Sequence, residues 1–251
     1  MDKYARQTYE ANFMSISPEL FDNNNFVGDI TKIDKSTIPD FDILTGGFPC
    51  QPFSQAGLKR GFDDTRGTLF YEIADILKVK QPEAFFLENV RGLLKHDNGK
   101  TIETISDVLT KDLGYSLKLY IVKASDHGLP QLRTRLFMIG FKDKDIVFEP
   151  PPKRELLYNM SDIFGATTNR EIGFTLRVGG RRSGLHDRRN WDTYLVDGTP
   201  RSLTPTEAKK MQGFPDKFIF PVSDNQAMKQ LGNSVAILAV QDYAQQIINN
   251  H

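Results

Sequence analysis

The chain has 251 residues, 39% of them hydrophobic and 25% charged, with 32 Lys and Arg against 32 Asp and Glu. These proportions exclude a disordered chain and, at zero net charge, a uniformly basic nucleic-acid binder, while the length admits one large domain or one domain with a smaller appendage. No apolar run approaches the roughly 20 residues that cross a bilayer, the first seven residues lack the apolar core of a signal peptide, and the single cysteine, Cys50, excludes an intrachain disulfide or a zinc site of several thiolates. A cytoplasmic protein without membrane or metal is expected.

In chain order, Asp42–Thr45 reads as a short buried strand broken by Gly46-Gly47-Phe48-Pro49. Thr68–Leu77 has helical apolar spacing, and Ala84–Leu87 is the next strand. A helix is expected over Thr101–Leu113, ending at Gly114, then an alternating strand over Tyr115–Lys123 and a buried one over Leu136–Gly140. This rhythm is that of an α/β sheet protein. At Glu149-Pro150-Pro151-Pro152-Lys153 the alternation stops, because consecutive prolines exclude both helix and ladder, and a boundary is expected there. Beyond it, 177–191 is rich in arginine and glycine and carries the only tryptophan, and one apolar-periodic segment returns over Ala227–Ile248. The expected division is a larger domain over 1–158, a smaller domain over 159–224, and a C-terminal helix over 225–251 returning to the first.

Three short patterns carry chemistry. Gly46-Gly47-Phe48-Pro49-Cys50-Gln51-Pro52-Phe53-Ser54 holds the cysteine in a strand-end loop, where α/β proteins place ligands; a buried packing thiol is the blander reading, but prolines on both sides argue against a core position. Glu88-Asn89-Val90 puts an acid and an amide at the end of an apolar strand, although such a pair is often a solvated loop or a cap. Gln131-Leu132-Arg133-Thr134-Arg135 alternates two arginines along an extended segment, so they are expected to share one face.

Together, and in this order, these blocks resemble the DNA cytosine methyltransferases that modify carbon 5 of the base. Asp64-Thr65-Arg66-Gly67-Thr68-Leu69-Phe70, Arg201-Ser202-Leu203-Thr204-Pro205, Gln212-Gly213-Phe214-Pro215 and Gly232-Asn233-Ser234-Val235 extend the likeness over nearly the whole chain. The resemblance implies a Rossmann-like methyltransferase sheet with a smaller target-recognition domain, S-adenosylmethionine as cofactor and double-stranded DNA as partner, in a restriction-modification setting. It implies Cys50 as the nucleophile that adds to carbon 6 of a flipped cytosine, and Glu88 as the acid on ring nitrogen 3. Asn89 would hold the loop, and Arg133 and Arg135 would fix the base and its phosphate. Asp29, Ile30, Pro49, Leu69 and Asn233 would line the cofactor site. Gln51 and Ser54 would meet DNA, as would Arg177, Arg181, Arg182, Arg188 and Arg189, either at guanine edges or at phosphates.

The chain departs from this family in one respect. The Phe-x-Gly-x-Gly-Gly loop for the methionine part of the cofactor, and the acid after the second strand, are not found, and Met1 aligns just past that acid, on what reads as a helix through Asn12. A fragment or a chain begun at an internal start is one expectation, one half of a split enzyme whose partner polypeptide supplies the first strands another, and an inactive DNA-binding relative a third; by itself the chain is expected to bind the cofactor weakly. A Cys-His hydrolase pairing Cys50 with His127 or His96 lacks an orienting third group and leaves the other blocks unexplained. The tRNA-methylating branch of the same family suits the arginine-rich stretch less well.

Overall fold

A computed structural model describes residues 2–22, 25–49, 69–179 and 182–250. The chain divides into two compact units. One comprises Met1–Phe26, Lys123–Thr134 and Pro151–Tyr243, and the other Val27–Val122, Arg135–Pro150 and Ala244–His251.

The second unit is built on a mixed sheet. Strands β1 (Ile43–Gly47), β2 (Ala84–Val90), β3 (Lys118–Lys123) and β4 (Thr134–Phe141) lie in the order β1-β2-β4-β3. β1 runs parallel to β2, with Gly47 opposite Glu88, and β2 runs antiparallel to β4, with Val90 opposite Arg135. Flanked on both sides, β2 reads as a continuous apolar run, buried from Ala84 to Leu87. The strand continues past Leu87 to Val90, so Glu88 and Asn89 lie within it and point to opposite faces.

Helix α2 (Leu69–Lys80) buries Phe70, Ile73, Ala74 and Leu77, one stripe at helical spacing, into a core that also holds Phe48, Phe85, Leu87, Leu136 and Met138. It ends at Gln81, whose φ of 45° ahead of Pro82 no helix can continue. The helix expected over 101–113 forms as α3 (Lys100–Asp107) and then widens into a single π turn over Val108–Asp112 before Gly114, at φ 79°. The strand expected from Tyr115 begins only at Lys118. Tyr115 turns inward instead, its hydroxyl donating to the Pro82 carbonyl at 2.7 Å, while Ser116 pairs with Phe141 at the end of β4.

That pairing brings Ser116 against Gly140. A Cβ on Gly140 would stand 2.2 Å from the Ser116 carbonyl oxygen and 2.4 Å from the Phe85 ring. Backbone on one side and a fully buried ring on the other leave no room to relax. Gly140→Ala is therefore expected to cost about 3 kcal/mol, read as a lower urea midpoint at unchanged slope; an unshifted midpoint would show that β4 and Tyr115–Leu117 move apart freely.

The first unit is helical. α1 (Lys3–Phe13) starts at Asp2, whose carboxylate accepts from the Tyr4 and Ala5 amides. α4 (Met160–Phe164) and α5 (Pro205–Met211) each open with a capping box, at Asn159/Asp162 and Thr204/Glu207. Strands β5 (Thr193–Val196) and β6 (Thr199–Ser202) form a hairpin closed by Asp197-Gly198 at φ 45° and 78°, the two positive angles of a type I′ turn. Met160, Phe164, Leu176, Trp191, Tyr194, Met211 and Leu231 form its core. The segment expected as one helix from Ala227 is two, α6 (Asp224–Asn233) and α7 (Ile237–Asn249), interrupted where Ser234 is extended. Among the described residues no helix is long and apolar enough to cross a membrane.

Candidate active site

The carboxyl end of β2 gathers three of the expected residues in the second unit. On one face, the Arg135 guanidinium meets the Glu88 carboxylate, Nε to Oε1 at 2.8 Å, across a diagonal of the β2–β4 ladder. Both side chains are largely but not wholly covered. Burial pulls the Arg135 pKa below its ordinary value and Glu88 pushes it back up; arginine starts so high that the group stays cationic near neutrality.

On the opposite face Asn89, 3% exposed, points toward the loop after β1. Its Nδ2 donates to the Phe48 carbonyl at 2.8 Å, and its Oδ1 accepts from the Val90 amide at 2.8 Å. Phe48 is itself anchored, its ring 5.4 Å from that of Phe70 in the core. The backbone is thus fixed two residues ahead of Cys50. Cys50, Gln51, Ser54 and Arg181 lie outside the described residues.

The two arginines of the Gln-Leu-Arg-Thr-Arg block do different things. Arg133 precedes β4, belongs to the first unit and is 2% exposed. It donates to the carbonyls of Leu176 and Gly232, at 3.2 Å each, and to that of Ser234. The shared face expected from alternation does not describe it, because the ladder begins only at Thr134 and three distant carbonyls draw the guanidinium inward. Its neighbour Gln131 is also fully buried, donating to the Gln212 Oε1 at 2.5 Å, and Gln212 donates in turn to the Ser234 hydroxyl at 3.0 Å. These bonds satisfy the interruption between α6 and α7.

Of the residues expected at the cofactor, Asp29, Ile30, Pro49 and Leu69 lie in the second unit and Asn233 in the first. Asp29 caps a short turn (Ile30–Lys32). One carboxylate oxygen accepts from the Thr31 amide at 3.1 Å and from its hydroxyl at 2.8 Å, and these bonds hold the exposed carboxyl below the ordinary carboxylate range. Leu69 opens α2 and is 41% exposed; the Asp29 turn packs against that helix. Asn233 ends α6 and lines a cleft of about 270 Å³ walled by Tyr9, Phe214, Phe218 and Phe220.

In the arginine-rich stretch, Arg177, Arg182 and Arg188 are exposed. Arg189 is engaged by Asp187, Nη2 to Oδ2 at 2.8 Å, and this partner pulls the Asp187 pKa to about 2. The stretch is pinned at both ends: the buried Trp191 donates to the Gly179 carbonyl at 2.6 Å, and the Arg182 amide donates to Asp192 at 3.0 Å. Neither histidine offers a hydrolase base. His96 bonds Thr101 at 2.7 Å. His127 does have a third group, Asp242 at 2.7 Å, but is itself buried, and burial lowers its pKa.

The sequence profile of the C-5 cytosine-specific DNA methylases matches residues 1–172 and 168–249. The chain is 41% identical to the Type II methyltransferase M1.ScrFI of Lactococcus lactis subsp. cremoris, covering 99% of this chain and 70% of that protein. It is 36% identical to the Type II methyltransferase M.HhaI of Haemophilus parahaemolyticus, over 98% of this chain and 85% of the other. Among solved structures it is similar to an Entamoeba histolytica methyltransferase at TM-score 0.72 and 17% identity, covering 99% and 88% of the two chains. It is also similar to a Spodoptera frugiperda DNMT2 mutant, at TM-score 0.70 and 15% identity, covering 99% and 90%.

Proposed function

The chain belongs to the C-5 cytosine-specific DNA methylases, and from that premise we propose how its residues divide the reaction among them. It is a DNA cytosine-5 methyltransferase. Its relatives are named Type II methyltransferases, which supports a place in a restriction-modification system in the cytoplasm. The observation that carries the reading is at the end of β2: Glu88 held by Arg135 on one face, and Asn89 holding the Phe48 carbonyl on the other.

Carbon 5 of cytosine is a poor nucleophile until something adds across carbon 6. We assign that addition to the Cys50 thiolate, on a loop whose approach Asn89 fixes. As the thiolate bonds carbon 6, charge develops toward ring nitrogen 3. Glu88, as the acid, donates a hydrogen bond there and accepts one from the exocyclic amine, which separates cytosine from thymine. Arg135 orients the Glu88 carboxyl and stabilises the negative charge around it. Once carbon 5 carries its methyl group, its proton passes to water, the bonding pair re-forms the double bond to carbon 6, and Cys50 leaves as the thiolate. The target base must leave the duplex first, at a cost of a few kcal/mol.

The family implies S-adenosylmethionine as methyl donor, which supplies an electrophilic sulfonium methyl group when bound. The residues present fit its adenine end. Asp29 offers an exposed, ionised acceptor for the exocyclic amine, and the aliphatic side chain of Leu69 stands half-exposed on the helix beside it. Ile30 and Pro49 complete the proposed set in this unit. Residues 159–224 are proposed as the target-recognition region, with Arg177, Arg182 and Arg188 the arginines open to DNA and Arg189 already neutralised by Asp187.

A duplex carrying 5-fluorocytosine at the target tests the covalent scheme, because fluorine cannot leave as a proton. With the cofactor present, the protein is expected to accumulate an adduct that survives denaturing electrophoresis. Methylation of ordinary DNA without any such adduct would exclude attack by Cys50.

A further inference from the structure

The Asp29 turn hangs on a second residue that the proposed reaction does not use. Lys35 follows it by six positions, on the next short turn (Lys35–Thr37), and its side chain is only 12% exposed. A covered ammonium needs partners for its three protons, and this one has them. Its Nζ donates to the Ile30 carbonyl at 2.5 Å and to the Ile33 carbonyl at 3.1 Å, and it pairs with Glu72 of α2 at 2.7 Å. Glu72 is 21% exposed and sits in the first turn of that helix, three residues after Leu69.

One ammonium therefore joins the two segments that carry the adenine-end residues. On one side it grips the backbone at Ile30, directly after Asp29; on the other it grips the helix turn that begins with Leu69. Covalent connection does not do this, since 38 residues separate Ile30 from Leu69, half of them outside the described set. Among the described residues, the Asp29 carboxylate is otherwise held by its own turn, through Thr31 and the more distant, exposed Lys32. Local bonds of that kind fix the shape of a turn but not its distance from a helix.

We propose that Lys35 and Glu72 form a clamp that sets the spacing between the Asp29 turn and the start of α2, and so positions the adenine-binding residues without touching the ligand. The proposal rests on the assignment of Asp29 to the adenine amine. An ion pair suits this task because it is short and directional. The carbonyl bonds give the turn a fixed approach, while the carboxylate supplies the opposite charge that lets the ammonium remain covered.

The test compares S-adenosylhomocysteine binding by calorimetry for the intact protein, Lys35→Met, Lys35→Met/Glu72→Leu, Asp29→Ala and Lys35→Met/Asp29→Ala. Removing both charges at once avoids stranding either, so the Lys35→Met/Glu72→Leu protein is expected to melt within a few degrees of the parent. Its dissociation constant for S-adenosylhomocysteine should nonetheless rise about tenfold, and the Michaelis constant for the methyl donor should rise with it, while kcat and the Michaelis constant for DNA stay within about twofold. Because Lys35 acts through the Asp29 turn, the losses from Lys35→Met and Asp29→Ala should overlap rather than add. Unchanged affinity in the charge-free pair, or strictly additive losses, overturns the clamp. Unchanged affinity in Asp29→Ala, or no binding by the parent protein, instead removes the adenine assignment on which the clamp depends.

Discussion

Cys50→Ser is expected to abolish methyl transfer, lowering it by about 10⁴-fold or more, while affinity for the target duplex stays within about threefold. A thiol is a few per cent thiolate near pH 7, whereas a serine hydroxyl needs a base to become a nucleophile; of the two histidines considered for that role, His96 is tied to Thr101 and His127 is buried. Oxygen and sulfur differ little in volume, so docking of the duplex and extrusion of the base proceed as before. Transfer of a tritiated methyl group reads the first quantity and a filter-binding titration the second. A serine variant that methylates at even a hundredth of the parent rate, or that still forms the 5-fluorocytosine adduct, would dismiss Cys50 from the mechanism.

Arg133→Met and Arg135→Met should separate two roles that lie two residues apart. Arg133→Met removes the donor to three carbonyls, those of the buried Leu176 and Gly232 and of the partly buried Ser234. At roughly 1–3 kcal/mol for each unsatisfied buried group, partly relieved by relaxation, the loss is on the order of 3–5 kcal/mol, a large fraction of the ~5–15 kcal/mol that holds a domain folded. Arg135→Met breaks the pair with Glu88 at a site still partly open to water, and should cost only about 1–2 kcal/mol. Its effect should fall on the reaction instead: roughly a 10²–10³-fold lower rate in a protein that remains folded. Urea midpoints and single-turnover rates on the two variants decide the matter. If Arg135→Met unfolds the protein while Arg133→Met slows a stable one, the roles are reversed.

Much of the sheet was legible because its signals are local. A continuous apolar run means a strand covered on both faces, as at Ala84–Leu87; the break expected at Gly46-Gly47 falls later, because both glycines still pair with β2 as the last rungs of β1. The turn at Asp197-Gly198 was equally available, a dipeptide that accepts two positive φ angles between alternating segments, and reading it would have located the β5–β6 hairpin. Lys35 carried no such signal. A lysine among Asp34, Ser36 and Thr37 reads as solvated surface, and its carboxylate partner lies 37 positions away.

By itself the sequence determined the α/β class and the order of the family's blocks, because each depends on residue type and on spacing over a few positions. The tertiary structure decided which of two equivalent arginines serves the fold and which faces the acid, and where an apolar-periodic segment breaks between α6 and α7. It also decided that an ordinary lysine holds a turn against a helix. The physical reason is common to all three: a charged or polar group is defined by its solvation and its partners, and here those partners come from segments remote in sequence that meet only when the chain folds.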